Sequence, residues 1–210
     1  MKKLVELLDS PKQAIKIPAL RTVGNLLTGN DEQTQFIISY GVLHQFATLL
    51  DCSQKGIRKE VAWSISNITA GTEEQVQAVI DANLFPKLIE IISSESAVDL
   101  KKEAIWACLN ALKTGSYEQT RYLVEMGIIE PFCETLTSQD HETLIMTLEG
   151  LEIILEMEGC CDSLEAVTII ESCGGVQSME LLKDHPNEEV VSAALKVLSF
   201  INKEDEETSD

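Results

Sequence analysis

The chain holds little of what enzymes and membrane proteins need. Aromatic residues are only 5% of its 210 residues, so the core must be built from aliphatic side chains, which a hydrophobic content of 44% can supply. Basic residues are scarce, with 16 Lys plus Arg against 35 Asp plus Glu. The resulting formal net charge of -19 disfavours nucleic acid and anionic membrane as partners and suits a basic one, attracted from a distance. No stretch approaches the run of about 20 apolar residues that spans a bilayer. The opening MKKLVELLDS has too short an apolar part for a secretory signal, so a soluble, intracellular protein is expected.

Catalytic and metal-binding signatures are missing too. There is no GxSxG, no phosphate-binding glycine loop and no histidine set beside a nucleophile. His44, His141 and His185 lie far apart in sequence, none at ligand spacing from a cysteine, so neither metal nor cofactor is expected. Cys52, Cys108, Cys133, Cys160, Cys161 and Cys173 form no CxxC pair and sit mostly in apolar helical patterns, which reads as reduced, small core residues. The expectation is a binding protein with no catalytic residues.

What the chain does have is a repeat. The segment GNLLTGNDEQTQFIISYGV (24–42) returns as SNITAGTEEQVQAVIDANL (66–84) and as LNALKTGSYEQTRYLVEMGI (109–128). Asn25, Asn67 and Asn110 are 42 and 43 residues apart, within the period of roughly 40–47 residues of HEAT and armadillo arrays. Within residues 31–71, three helical pieces follow one another: DEQTQFIISY, VLHQFATLLD and KGIRKEVAWSISNITAG. Ile57, Val61, Ile65 and Ile68 form one helical stripe, and no segment sustains period-two alternation. Gly41, Asn83, Gly127 and Gly174 should end first helices as left-handed caps, and Gly29, Gly71 and Gly115 should do the same after third helices. The spacing predicts a partial unit at 1–29 and units at 31–71, 73–114, 117–158 and 163–203, with a disordered acidic tail at 204–210.

Chemistry concentrates at one register of this repeat. Trp63 and Asn67 stand four residues apart, as do Trp106 and Asn110, so each pair shares a helix face. A lone tryptophan would read as a core residue. Asparagine recurring beside it argues for an open face, because a buried amide is costly when unpaired. Neighbouring indoles can take the stem of a lysine or arginine with cation–π contact, and a row of amides can hold the backbone of an extended peptide. Glu60 and Glu103 each precede a tryptophan by three residues and could receive the cation, unless they pair with neighbours such as Lys59 and Lys102.

The ordered stretches PALRTVGNLLTGNDEQTQ, RKEVAWSISNITAG, KKEAIWACLNA, YLVEMGIIEPF and IIESCGGV together resemble the C-terminal half of the importin alpha (karyopherin alpha) family. That resemblance implies an all-α, right-handed armadillo-repeat α-solenoid spanning the sixth to tenth repeats, present in cytoplasm and nucleus. Trp63, Asn67, Trp106 and Asn110 match the family's minor binding site for basic nuclear localisation signal peptides. Asn25 matches the sixth-repeat asparagine with Leu27, Thr28 and Asp31 beside it, and Ser66, Glu60 and Glu103 match positions that contact basic side chains. Arg21 stands where another tryptophan would complete the ladder, and Ile153 replaces the next asparagine. The basic importin-beta-binding segment and the first five repeats have no counterpart here, so neither docking on importin beta through that segment nor binding at the major site is expected of this stretch. Its last repeat resembles the region that contacts the export receptor and nuclear pore proteins, which leaves a regulatory fragment, or an armadillo scaffold, as the alternative reading.

Overall fold

The computed structural model describes residues 1–158 and 164–207. These residues are helical, with no strand among them, and fall into two compact units, Met1–Gln119 and Thr120–Asp210.

In the first unit, α1 (Lys2–Glu6) and a 3-10 turn (Leu7–Asp9) lead into α2 (Gln13–Leu26). Two helix triplets follow: α3 (Asp31–Ile38), α4 (Val42–Leu50) and α5 (Lys55–Thr69), then α6 (Glu73–Asp81), α7 (Phe85–Ser94) and α8 (Val98–Thr114). Helix α9 (Tyr117–Glu125) crosses the division between the units. The second unit continues with α10 (Ile129–Thr135), α11 (His141–Glu158), α12 (Leu164–Ser172), α13 (Gly175–Leu182) and α14 (Glu188–Glu207). Cys160 and Cys161 lie outside the described residues, as do residues 208–210 of the expected acidic tail. The backbone of 204–207 departs from that expectation by continuing α14, and no glycine or proline stands there to stop it.

Third helices stack on one another: α5 packs between α2 and α8. The predicted stripe is the reason, because Ile57, Val61, Ile65 and Ile68 are all at most 4% exposed. Burying each such side chain is worth about 1.5–3 kcal/mol, so the contact between third helices carries much of the unit's stability.

The helix stops are of two kinds. Gly41, Asn83, Gly127 and Gly174 all have positive φ, between 54° and 82°, as left-handed caps require. Gly29, Gly71 and Gly115 do not, which corrects the expectation for them. They are glycine because of space. A Cβ built on Gly29 or Gly71 would lie 2.1 or 1.8 Å from the Oε1 of Gln33 or Gln75. Each of these glutamines folds back to close a capping box with Asn30 or Thr72.

The capping glutamines also join one triplet to the next. Gln75 Nε2 donates to the Asp31 carbonyl at 2.8 Å, and Gln119 Nε2 donates to the Glu73 carbonyl at 2.9 Å. Thr114 Oγ1 adds a bond to the Thr69 carbonyl at 2.7 Å. The Thr69 carbonyl, in the last turn of α5, has no intrahelical donor of its own and is satisfied by Thr114, a tie that helps to hold α5 and α8 at a fixed offset.

Candidate functional site

Helices α2, α5 and α8 present the predicted residues at matching heights. Arg21 and Asn25 project from α2, and Glu60, Trp63 and Asn67 from α5. Glu103, Trp106 and Asn110 project from α8. Both indoles are half-buried, standing at the edge of the packed layer and not inside it. A pocket of about 330 Å³ opens there, lined by Arg21, Asn25, Lys59, Glu60, Trp63 and Glu103. Three successive third helices therefore contribute to one concavity.

Trp63 owes its position to Gly24, a residue the sequence reading passed over. A Cβ built on Gly24 would sit 2.5 Å from Trp63 Cζ3 and 2.9 Å from Ser64 Oγ. The indole thus lies against bare backbone of α2. The available signal was a small residue directly before the asparagine, as in Gly24–Asn25 and Ser66–Asn67.

Glu60 is paired differently from the expectation of a neighbouring lysine. Glu60 pairs with Arg21 of the preceding helix, Nε to Oε1 at 3.2 Å, and not with Lys59. Lys59 turns to Asp99 at 3.4 Å, alongside Lys55 at 3.1 Å. The pairing of Lys55 and Lys59 with Asp99 holds that carboxyl below its usual range. Glu103 moves the other way. Its partial burial raises its pKa above the ordinary 4.5, opposed by Lys59, and Glu60 and Asp99 push it further up. A half-buried carboxylate beside two other acids and an indole is a site that gains from an added cation.

The asparagines are not equivalent. Asn110 Nδ2 donates to the Ser66 carbonyl at 3.0 Å, so one of its donors is committed to joining α8 to α5. Asn67 Nδ2 is buried with no hydrogen-bond partner, and Asn25 is exposed. An orphaned amide costs about 1–3 kcal/mol.

The remaining predicted residues divide. Ser66 is 5% exposed and its hydroxyl donates to the Trp63 carbonyl at 2.8 Å, which makes it a spacer beneath the face. Leu27 is corrected: at 1% exposure its side chain belongs to the core. Two residues beyond Asn25 on a helix is about 200° around the axis, which turns Leu27 inward. Thr28 and Asn25 line a second concavity of about 500 Å³ with Leu26, Glu32 and Phe36. Asp31 is exposed, and its carbonyl is the one taken by Gln75. Ile153, half-buried on α11, offers no amide.

Two further expectations concern metals and membranes. The fold brings His141 and His185 together, with ring centroids 5.3 Å apart, although they are distant in sequence. Among the described residues no group of three or more His, Cys, Asp or Glu is placed to hold a metal ion, and no helix is long and apolar enough to cross a membrane.

Helix triplets with this stacking and spacing define an armadillo-repeat chain. Residues 30–70 match the Armadillo/beta-catenin-like repeat family. A designed armadillo repeat protein, YIII(Dq)4CqI, superposes with a TM-score of 0.83 at 28% identity, covering 95% of this chain and 81% of that one. Another, in complex with the peptide (KR)4, gives 0.73 at 25% identity, with coverage of 95% and 98%. Importin subunit alpha-1b of Oryza sativa subsp. japonica is 41% identical over 98% of this chain, and importin subunit alpha-8 of Arabidopsis thaliana is 35% identical over 93%. The chain is thus an all-α solenoid of the armadillo type, related to the importin alpha family through that family's C-terminal part. It spans about 40% of the length of importin subunit alpha-1b and 46% of importin subunit alpha-8.

Proposed function

We propose that this chain is the cargo-binding part of a nuclear import adaptor, holding a lysine- and arginine-rich nuclear localisation signal peptide across α2, α5 and α8. The observation that carries this reading is the pocket where Trp63, seated on Gly24, faces Glu60 and Glu103. A lysine or arginine stem fits against the indole while its charge approaches the raised carboxyl of Glu103. Asn25, exposed on α2, offers its amide to the peptide backbone. Binding exchanges one cation for another at Glu60, since the peptide competes with Arg21 there.

The designed armadillo repeat protein in complex with the peptide (KR)4 shares the fold, which supports the same ligand class here. The protein acts by binding and not by catalysis, and works in cytoplasm and nucleus. A second reading, contact with an export receptor or nuclear pore protein through the last repeat, is favoured by Leu181 and Leu195, which are 79% and 48% exposed on α13 and α14.

The test is a fluorescence titration with a lysine- and arginine-rich peptide, using the same peptide with its basic residues changed to alanine as control. The basic peptide should shift the tryptophan emission and bind more weakly as salt rises, because part of the attraction is ionic. Equal binding of both peptides would remove the basis for the assignment.

A further inference from the structure

We propose that Cys133 and Cys173 in the second unit form a reversible disulfide, so that this unit is a modification site for low-molecular-weight disulfides such as oxidised glutathione. This proposal is independent of the peptide face. Cys133 Sγ borders the open side of Gly175, and the Cys173 thiol lies within hydrogen-bonding reach of it. A Cβ built on Gly175 would lie 2.7 Å from Cys133 Sγ and 3.0 Å from the Ile170 carbonyl oxygen. That same carbonyl accepts from Cys173 Sγ at 3.4 Å. Because Gly175 has no side chain, nothing of its own occupies the space beside Cys133 Sγ. Cys133 lies in α10, and Cys173 directly follows α12, just before the left-handed Gly174 turns the chain into α13. A bridge would therefore tie the second helix of one triplet to the first of the next.

The two thiols differ in a way that orders the reaction. Cys133 is 3% exposed, and burial, then its neighbour Cys173, pushes its thiol far up. Cys173 is only half-buried and meets the oxidant first. Its thiolate attacks one sulfur of oxidised glutathione, forming a mixed disulfide and releasing one glutathione thiolate. Cys133 gives up its proton and displaces the second glutathione, closing the protein disulfide. Two protein thiols lose two electrons and one oxidised glutathione becomes two reduced molecules. The other described thiols are placed otherwise: Cys108 is wholly buried, and Cys52 Sγ is directed to the Gln54 carbonyl at 3.6 Å.

The whole 210-residue chain, equilibrated in glutathione buffers of increasing oxidised fraction, alkylated and digested without reduction, provides the test. A peptide pair joined through Cys133 and Cys173 should accumulate with the oxidised fraction and vanish on adding excess reduced glutathione. The single variants Cys173→Ser and Cys133→Ala should each abolish that pair, while Cys108→Ala leaves it in place. Absence of the pair in the folded wild-type chain at the highest oxidised fraction would overturn the proposal, as would bridging of Cys133 or Cys173 only to Cys160 or Cys161.

Discussion

Replacing Gly24 by alanine adds one methyl at the point where the indole of Trp63 rests. The new carbon would stand 2.5 Å from Cζ3, 3.1 Å from Cε3 and 2.9 Å from Ser64 Oγ. Ordinary carbon contacts are about 3.5–4.0 Å, so the ring must move by about 1 Å. Overpacking of this kind costs about 1–3 kcal/mol, while alanine for glycine inside a helix returns about 1 kcal/mol. The net loss, about 0–2 kcal/mol, leaves a folded chain in which the indole has shifted. If the peptide cation stacks on that ring, a contact worth about 0.5–2 kcal/mol is disturbed, and affinity for a basic peptide should fall by about 2- to 30-fold. Urea unfolding followed by circular dichroism measures the first effect, and titration of the folded variant measures the second. Gly56→Ala on α5 is the control, since a Cβ there meets nothing within 4 Å. Parental emission and parental peptide affinity in Gly24→Ala would refute the account of how Trp63 is seated.

Glu103→Gln should separate stability from binding. The folded state raises this carboxyl's pKa above 4.5, so its charged form costs stability once the pH exceeds the folded value. The variant should therefore unfold at higher urea than the parent at pH 7 and converge with it below about pH 4, where both side chains are neutral. Its affinity for a basic peptide should drop, and in the parent that affinity should weaken as the pH falls towards the raised pKa; equal peptide affinity of parent and variant at pH 7 would contradict this role. Gln75→Ala removes both a capping-box partner and the bond to the Asp31 carbonyl. A loss of about 1–3 kcal/mol is expected from the cap and the lost hydrogen bond together, read as an earlier urea midpoint.

How much of this was legible in the sequence follows from the range of each interaction. The four left-handed caps were readable because a positive φ selects glycine or asparagine locally, and the pairing of Trp63 with Asn67 because four residues make one helical turn. The pairing of Arg21 with Glu60 joins residues 39 apart and depends on the offset between α2 and α5, which no local pattern states. The same offset decides that Trp63 rests on Gly24 and that Asn110 is engaged by Ser66 while Asn67 is unpartnered. Gly29 and Gly71 look like caps in sequence, yet they are fixed by the side chain of a glutamine four residues later. Leu27 illustrates the opposite limit: proximity in sequence to Asn25 suggested a shared face, and helical geometry places it in the core.

The central claim is that Trp63 and Trp106 hold the basic side chains of an extended peptide. Calorimetric titration of a lysine- and arginine-rich peptide into the double variant Trp63→Ala/Trp106→Ala, with helicity checked by circular dichroism, tests it most directly. The account predicts that the variant keeps its helices, because both indoles are only half-buried, and that heat of binding disappears at peptide concentrations that saturate the parent. A folded double variant that binds the peptide as tightly as the parent would contradict it.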